Sequence, residues 1–74
     1  MTLRECPEGS RAKIVSLEAS GALKRRLLEM GFVPGRSLRV VRNAPLRDPM
    51  EVEVMGYHLA VRKDEASHIL IVLE

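Results

Sequence analysis

Three side chains in this sequence have the chemistry of a nucleophile, a base or a soft metal ligand: Cys6, His58 and His68. Nucleophilic catalysis needs the nucleophile held beside a base that a third group orients. Cys6 lies in the N-terminal arm, whereas His58 and His68 open different expected strands, so nothing in the spacing couples them. The reading of all three as ordinary surface or partly buried polar groups outweighs a catalytic one, and no enzymatic activity is expected. A transition-metal site would need closely grouped imidazole, thiolate or carboxylate ligands. The two histidines are ten residues apart, and no Cys-x-x-Cys or His-x-x-x-His pair exists, so no metal site is expected. Gly31 and Gly35 flank a turn without the lysine and hydroxyl residue of a phosphate cradle, which argues against nucleotide or other cofactor binding. Tyr57 and Phe32 are the only aromatic residues, too few for a base-stacking platform. Nucleic acid is therefore not an expected partner, although small barrels and basic helices keep that reading as an alternative.

Protein recognition remains, and the charges suggest where. Residues 1–20 carry three basic and three acidic groups, residues 21–47 seven and one, and residues 48–74 two and six, giving 0, +6 and −4. The basic middle, from Lys24 to Arg47, either forms one positive face or is mixed by folding with the acidic C-terminal third. Lys24, Arg25 and Arg26 are the candidate contacts for an acidic partner, against a plain reading as solubilising charge. A second candidate is Pro45–Leu46–Arg47 within Pro45-Leu46-Arg47-Asp48-Pro49, where proline lowers the ordering cost of presenting Leu46 outward. The competing reading tucks Leu46 over one end of the core.

The elements that would carry these residues are legible from periodicity. Residues 12–17 follow a turn-like Pro7-Glu8-Gly9-Ser10 and read as a first strand. Leu23, Leu27 and Met30 fall at i, i+4 and i+7 opposite Lys24, Arg25, Arg26 and Glu29, an amphipathic helix with Ser20 as its N-cap. Gly31 is the expected left-handed C-cap, Phe32 its apolar contact, and Pro34 the stop, followed by Gly35 in the turn. Residues 37–43 read as strand, with Leu38 and Val40 on one face. Residues 44–49 hold two prolines and read as a stiff loop. Residues 50–55 alternate, with Val52 and Val54 inward and Glu51 and Glu53 outward; Gly56 turns the chain into 57–62, where Tyr57, Leu59 and Val61 share a face. Residues 63–67 read as a polar turn or single helical turn, and 68–73 as the closing strand. Leu23, Leu27, Val40, Val52, Val54, Leu59, Val61 and Ile71 are core candidates, while Met30 and Met55 suit either core filling or adaptable contact.

Seventy-four residues make one domain, 1–74. Five short strands in so small a chain would leave wet aliphatics and exposed edges in an open sheet, so a small closed barrel with one inserted helix is expected. With 46% hydrophobic and 30% charged residues the chain is a folded domain, not a disordered one. The longest apolar run, Ile69 to Leu73, is far below the ~20 residues of a spanning helix, and no leader-like segment opens the chain. A cytoplasmic location is expected, and a lone cysteine leaves the fold to its aliphatic core.

Taken in order, Leu27-Leu28-Glu29-Met30-Gly31-Phe32-Val33-Pro34-Gly35, then Ala44-Pro45-Leu46-Arg47-Asp48-Pro49, then Gly56-Tyr57-His58-Leu59-Ala60-Val61-Arg62-Lys63-Asp64-Glu65-Ala66, the sequence resembles the FeoA family of bacterial ferrous iron transport. The resemblance covers nearly the whole chain. It implies a mainly β, SH3-like five-stranded barrel with one inserted amphipathic α-helix. It further implies a non-enzymatic role assisting a FeoB-like ferrous iron transporter, through that transporter's cytoplasmic GTP-binding region, with contact to the membrane only through that partner and with weak self-association open. The same domain type is found at the C-terminus of iron- and manganese-sensing repressors. A metal-sensing module is thus a further alternative, disfavoured because no DNA-binding segment precedes the domain here.

Overall fold

The computed structural model describes residues 1–74. Five antiparallel strands, β1 (Arg11–Leu17), β2 (Ser37–Arg42), β3 (Met50–Val54), β4 (Tyr57–Val61) and β5 (Ile69–Leu73), form one sheet in the order β4-β3-β2-β1-β5. Helix α1 (Gly21–Met30) lies between β1 and β2, and the single turn α2 (Lys63–Ala66) between β4 and β5. The sheet curls around one cluster of buried side chains, with Val40, Val52, Val54, Val61, Ile69 and Ile71 at its centre. This is the expected mainly β barrel.

Alternation sets which side chains reach that centre. In β3 the odd-even pattern buries Met50, Val52 and Val54 and leaves Glu51 and Glu53 outward. In β1 it buries Ala12 and Ile14, but a bulge between Ile14 and Ser16 resets the phase so that Leu17 is the next inward residue and Val15 stays exposed. Helix α1 buries Leu27 completely and half-buries Leu23 and Met30 against the same cluster, so its basic face points to solvent.

The end of α1 follows the sequence closely. Gly31 has φ +113° and its N–H donates to the Leu28 carbonyl, while the Phe32 N–H donates to the Leu27 carbonyl, both at 3.0 Å. That is the paired bond pattern of a Schellman cap, and its apolar partners, Phe32 and Leu27, are both fully buried. The Gly31 carbonyl accepts from Arg36 Nη1 at 3.0 Å, and Gly35 N–H donates to Ile14, docking the turn on β1. Gly31→Val is therefore expected to cost about 1–2 kcal/mol from the left-handed backbone alone. A Cβ there would also stand 3.4 Å from Val54 Cγ1. The measurement is thermal unfolding, with a fall of roughly 4–8 °C per kcal/mol for a domain of this size. An unchanged midpoint would contradict the cap.

Two expectations, the Ser20 cap and the closed ladder, need correction, and two features lie beyond the sequence reading. Ser20 occupies the N-cap position in an extended conformation but makes no capping bond. Tyr57 is on the inward side of β4 yet 67% exposed, because β4 is the end strand of the sheet and nothing covers that corner. The hydrogen-bonded ladder does not close, since β4 and β5 are not paired; β5 is instead flanked by the N-terminus, with Thr2 bridging Leu70 and Ile71 N–H donating to Met1 O. The N-terminal arm, which carries no periodic pattern, is core: Leu3 and Cys6 are completely buried at either end of a 3-10 turn capped by Thr2 and Glu5.

Candidate functional site

The three chemically capable side chains lie in different surroundings. Cys6 is buried, not superficial, and burial pushes its thiol above the ordinary range, which disfavours the reactive thiolate. His58, exposed on β4, has its Nε2 3.3 Å from Glu53 Oε2 across the β3–β4 pair. His68 Nδ1 lies 2.9 Å from the Glu18 carbonyl at the far end of β1. No three His, Cys, Asp or Glu side chains gather in one place.

Three of the seven cations of the basic middle are paired with the acidic C-terminal third. Arg26 pairs with Glu65 (3.3 Å), Arg39 with Glu53 (3.4 Å) and Arg42 with Glu51 (3.7 Å). Cross-strand register brings the last two together, Arg39 facing Glu53 and Arg42 facing Glu51 in the β2–β3 pair. The Arg39 guanidinium, more than His58, holds the Glu53 carboxyl below its usual range. Glu65 is the one buried charged residue of the chain. Its other oxygen accepts the Arg62 N–H at 3.3 Å, so Arg26 fastens α1 to α2. Of the three basic helix residues, Lys24 and Arg25 alone keep an unpaired charge, having no carboxylate within 4.0 Å.

The second candidate surface is better defined. Leu46 is 100% exposed, which decides between the two readings of the proline loop: it points outward. Pro45 precedes it in a turn closed by Arg47 N–H donating to the Ala44 carbonyl at 3.1 Å. On the inner side, Lys63 at the start of α2 donates its backbone N–H to Asp48 Oδ1 (3.0 Å) and its ammonium to the Ala44 carbonyl, bracketing the loop from both ends. Just before the loop, Asn43 Nδ2 donates to the Arg4 and Cys6 carbonyls at 3.0 and 2.8 Å, and the Asn43 N–H donates to Glu8 at 2.8 Å. The loop is thus tied to the N-terminal arm as well. Lys63 and Asn43 bracket the candidate loop and were passed over in the sequence reading; Asn43 directly precedes the two-proline loop, which was an available signal, whereas Lys63 lies 14 residues beyond Pro49 and only the fold brings it there.

Two open depressions border the loop. One, of about 470 Å³, is lined by Glu8, Val41, Arg42, Ala44 and Arg47; the other, of about 270 Å³, by Asp48, Pro49 and Arg62. Neither is enclosed, and neither brings a nucleophile, a base and an orienting acid together. The arrangement suits contact with another macromolecule.

The sequence profile of the FeoA domain matches residues 1–73. The chain belongs to the FeoA family. It is similar, at 42% identity over 99% of its length, to the Fe(2+) transport protein A/Fe(2+) transporter FeoB fusion protein of Porphyromonas gingivalis, of which it spans 9%. Among solved structures it is similar to FeoA of Chlorobium tepidum, with 42% identity and a TM-score of 0.87 over 99% of this chain and 70% of that one. Stenotrophomonas maltophilia FeoA, a prokaryotic SH3 domain protein solved with zinc, is 36% identical with a TM-score of 0.85, over 97% of this chain and 89% of that one. The FeoA fold expected from the motifs is therefore the fold observed, and the family is one of ferrous iron transport.

Proposed function

We propose that this FeoA domain is a non-enzymatic, cytoplasmic accessory of ferrous iron uptake that binds the GTP-binding part of a FeoB transporter and modulates it. The observation that carries the reading is the Porphyromonas gingivalis relative, in which an FeoA sequence and a FeoB transporter are one polypeptide. Covalent fusion keeps two partners at high effective concentration, the arrangement favoured when their association is the function. The exposed surfaces support it: a loop with an outward leucine, and a helix whose free cations, Lys24 and Arg25, can steer an acidic surface. The test is direct association of the purified chain with the transporter's cytoplasmic domain, with and without guanine nucleotide. Absence of binding in both conditions would remove the proposal's support.

The helix makes a separable contribution. Arg25→Glu is expected to weaken association several-fold at low salt and hardly at all at high salt, because an exposed charge is screened beyond about 10 Å at 0.1 M ionic strength. Parallel salt titrations of variant and parent check it. Superimposable curves would take the helix out of the interface. Arg26→Glu is a poor substitute, since it would set two carboxylates against each other at Glu65 and disturb the join of α1 to α2.

A further inference from the structure

We propose that the Pro45–Leu46–Arg47 turn is a preformed docking knob, that it seats Leu46 in an apolar socket bordered by carboxylates on the partner, and that Lys63 is the positioning residue that holds the knob in shape. The partner's identity as the transporter's cytoplasmic part rests on the function proposed above. The chemistry of its socket rests on this chain alone.

A wholly exposed leucine at the tip of a surface loop is ordinary when the loop is loose. Here it is not loose. The turn is closed by the Arg47 to Ala44 bond, Pro45 fixes one backbone angle, and Lys63 grips Ala44 and Asp48 on either side of the tip. The ordering cost of presenting Leu46 is thereby met in the free protein, which is the condition under which a single apolar side chain contributes fully to binding. The rim supplies the second half of the inference. Every carboxylate beside the loop is engaged: Glu8 accepts from Asn43, Asp48 from Lys63, and Glu51 pairs with Arg42. Arg47 in one bordering depression and Arg62 in the other have no carboxylate within 4.0 Å. The knob is therefore apolar at its tip and carries free positive charge on both flanks, so the complementary surface is a leucine-sized apolar recess between acidic groups.

The experiment is calorimetric titration of the full-length chain into the transporter's cytoplasmic GTP-binding domain, with four variants whose folding is verified by unfolding midpoint. Leu46→Ser is expected to weaken binding about 10- to 100-fold, the equivalent of withdrawing one buried leucine, at an unchanged midpoint. The double variant Arg47→Glu, Arg62→Glu is expected to weaken it chiefly at low salt. Lys63→Met leaves every contact group in place and is expected to weaken binding several-fold while backbone order parameters at Leu46 and Arg47 fall below about 0.6. Lys63→Arg, which keeps a donor, should restore both in part. Failure of the unmodified chain to bind would overturn the transporter reading and the socket with it. Binding by the unmodified chain that Leu46→Ser leaves untouched would overturn the knob and spare the transporter reading. Unaltered affinity and order in Lys63→Met would remove Lys63's role. Self-association of the unmodified chain that Leu46→Ser abolishes would give the knob to a second copy and refute an acidic socket on the transporter.

Discussion

Phe32→Ala is expected to remove about 3–5 kcal/mol, the range for truncating a fully buried aromatic side chain. Phe32 is completely inaccessible to solvent and is among the largest of the buried side chains. It follows the left-handed Gly31 and shares the apolar seam of the helix cap with Leu27, so its loss opens a cavity and undoes the cap contact together. A chain of this length has on the order of 4–11 kcal/mol of total stability at 0.05–0.15 kcal/mol per residue. The variant should therefore lose a large part of its stability, visible as a much lower denaturant midpoint by circular dichroism. Retention of most of the midpoint would mean that the cluster closes over the gap and that Phe32 is not central to it.

The second large effect is Leu3→Ala, expected at about 2–5 kcal/mol. A residue this near a chain end is usually dispensable, because terminal segments fray. Leu3 differs in having no exposed surface, on an arm held at three places: Met1 O accepts from Ile71, Asn43 donates to Arg4 O and Cys6 O, and Thr2 bridges Leu70. The arm thus takes the place of a covering strand beside β5. Arg4→Ala, on the exposed side of the same 3-10 turn, is the control and should shift the unfolding midpoint hardly at all. Equal, small effects of the two substitutions would show that the arm is peripheral.

Both predictions concern the same polypeptide, yet only one was legible from the residues in order. Phe32 announces itself through Gly31 and Pro34, local signals that depend on backbone chemistry over six residues. Leu3 sits in a segment with no period, beside Arg4 and Glu5, and its burial comes from contacts with β5 and with Asn43, distant in the chain. The candidate site divides in the same way. Pro45 and Pro49 fix a stiff loop wherever it is placed, but that Leu46 points outward and that Lys63 and Asn43 bracket the loop are visible only in the fold.

Alternation along the strands, the α1 period and the Gly31 stop are short-range properties, and they determined the order of elements, the mainly β class and the part of the core formed by Leu27, Val40, Val52, Val54, Val61 and Ile71. Which charges remain available was decided by tertiary structure. A cation's field depends on what lies within a few ångströms, and β2–β3 pairing and the α1–α2 contact set Arg39, Arg42 and Arg26 against acids 14, 9 and 39 positions away in sequence. The +6 of the middle third was a property of the chain; the two free cations of α1 and the arginines flanking Leu46 are properties of the fold.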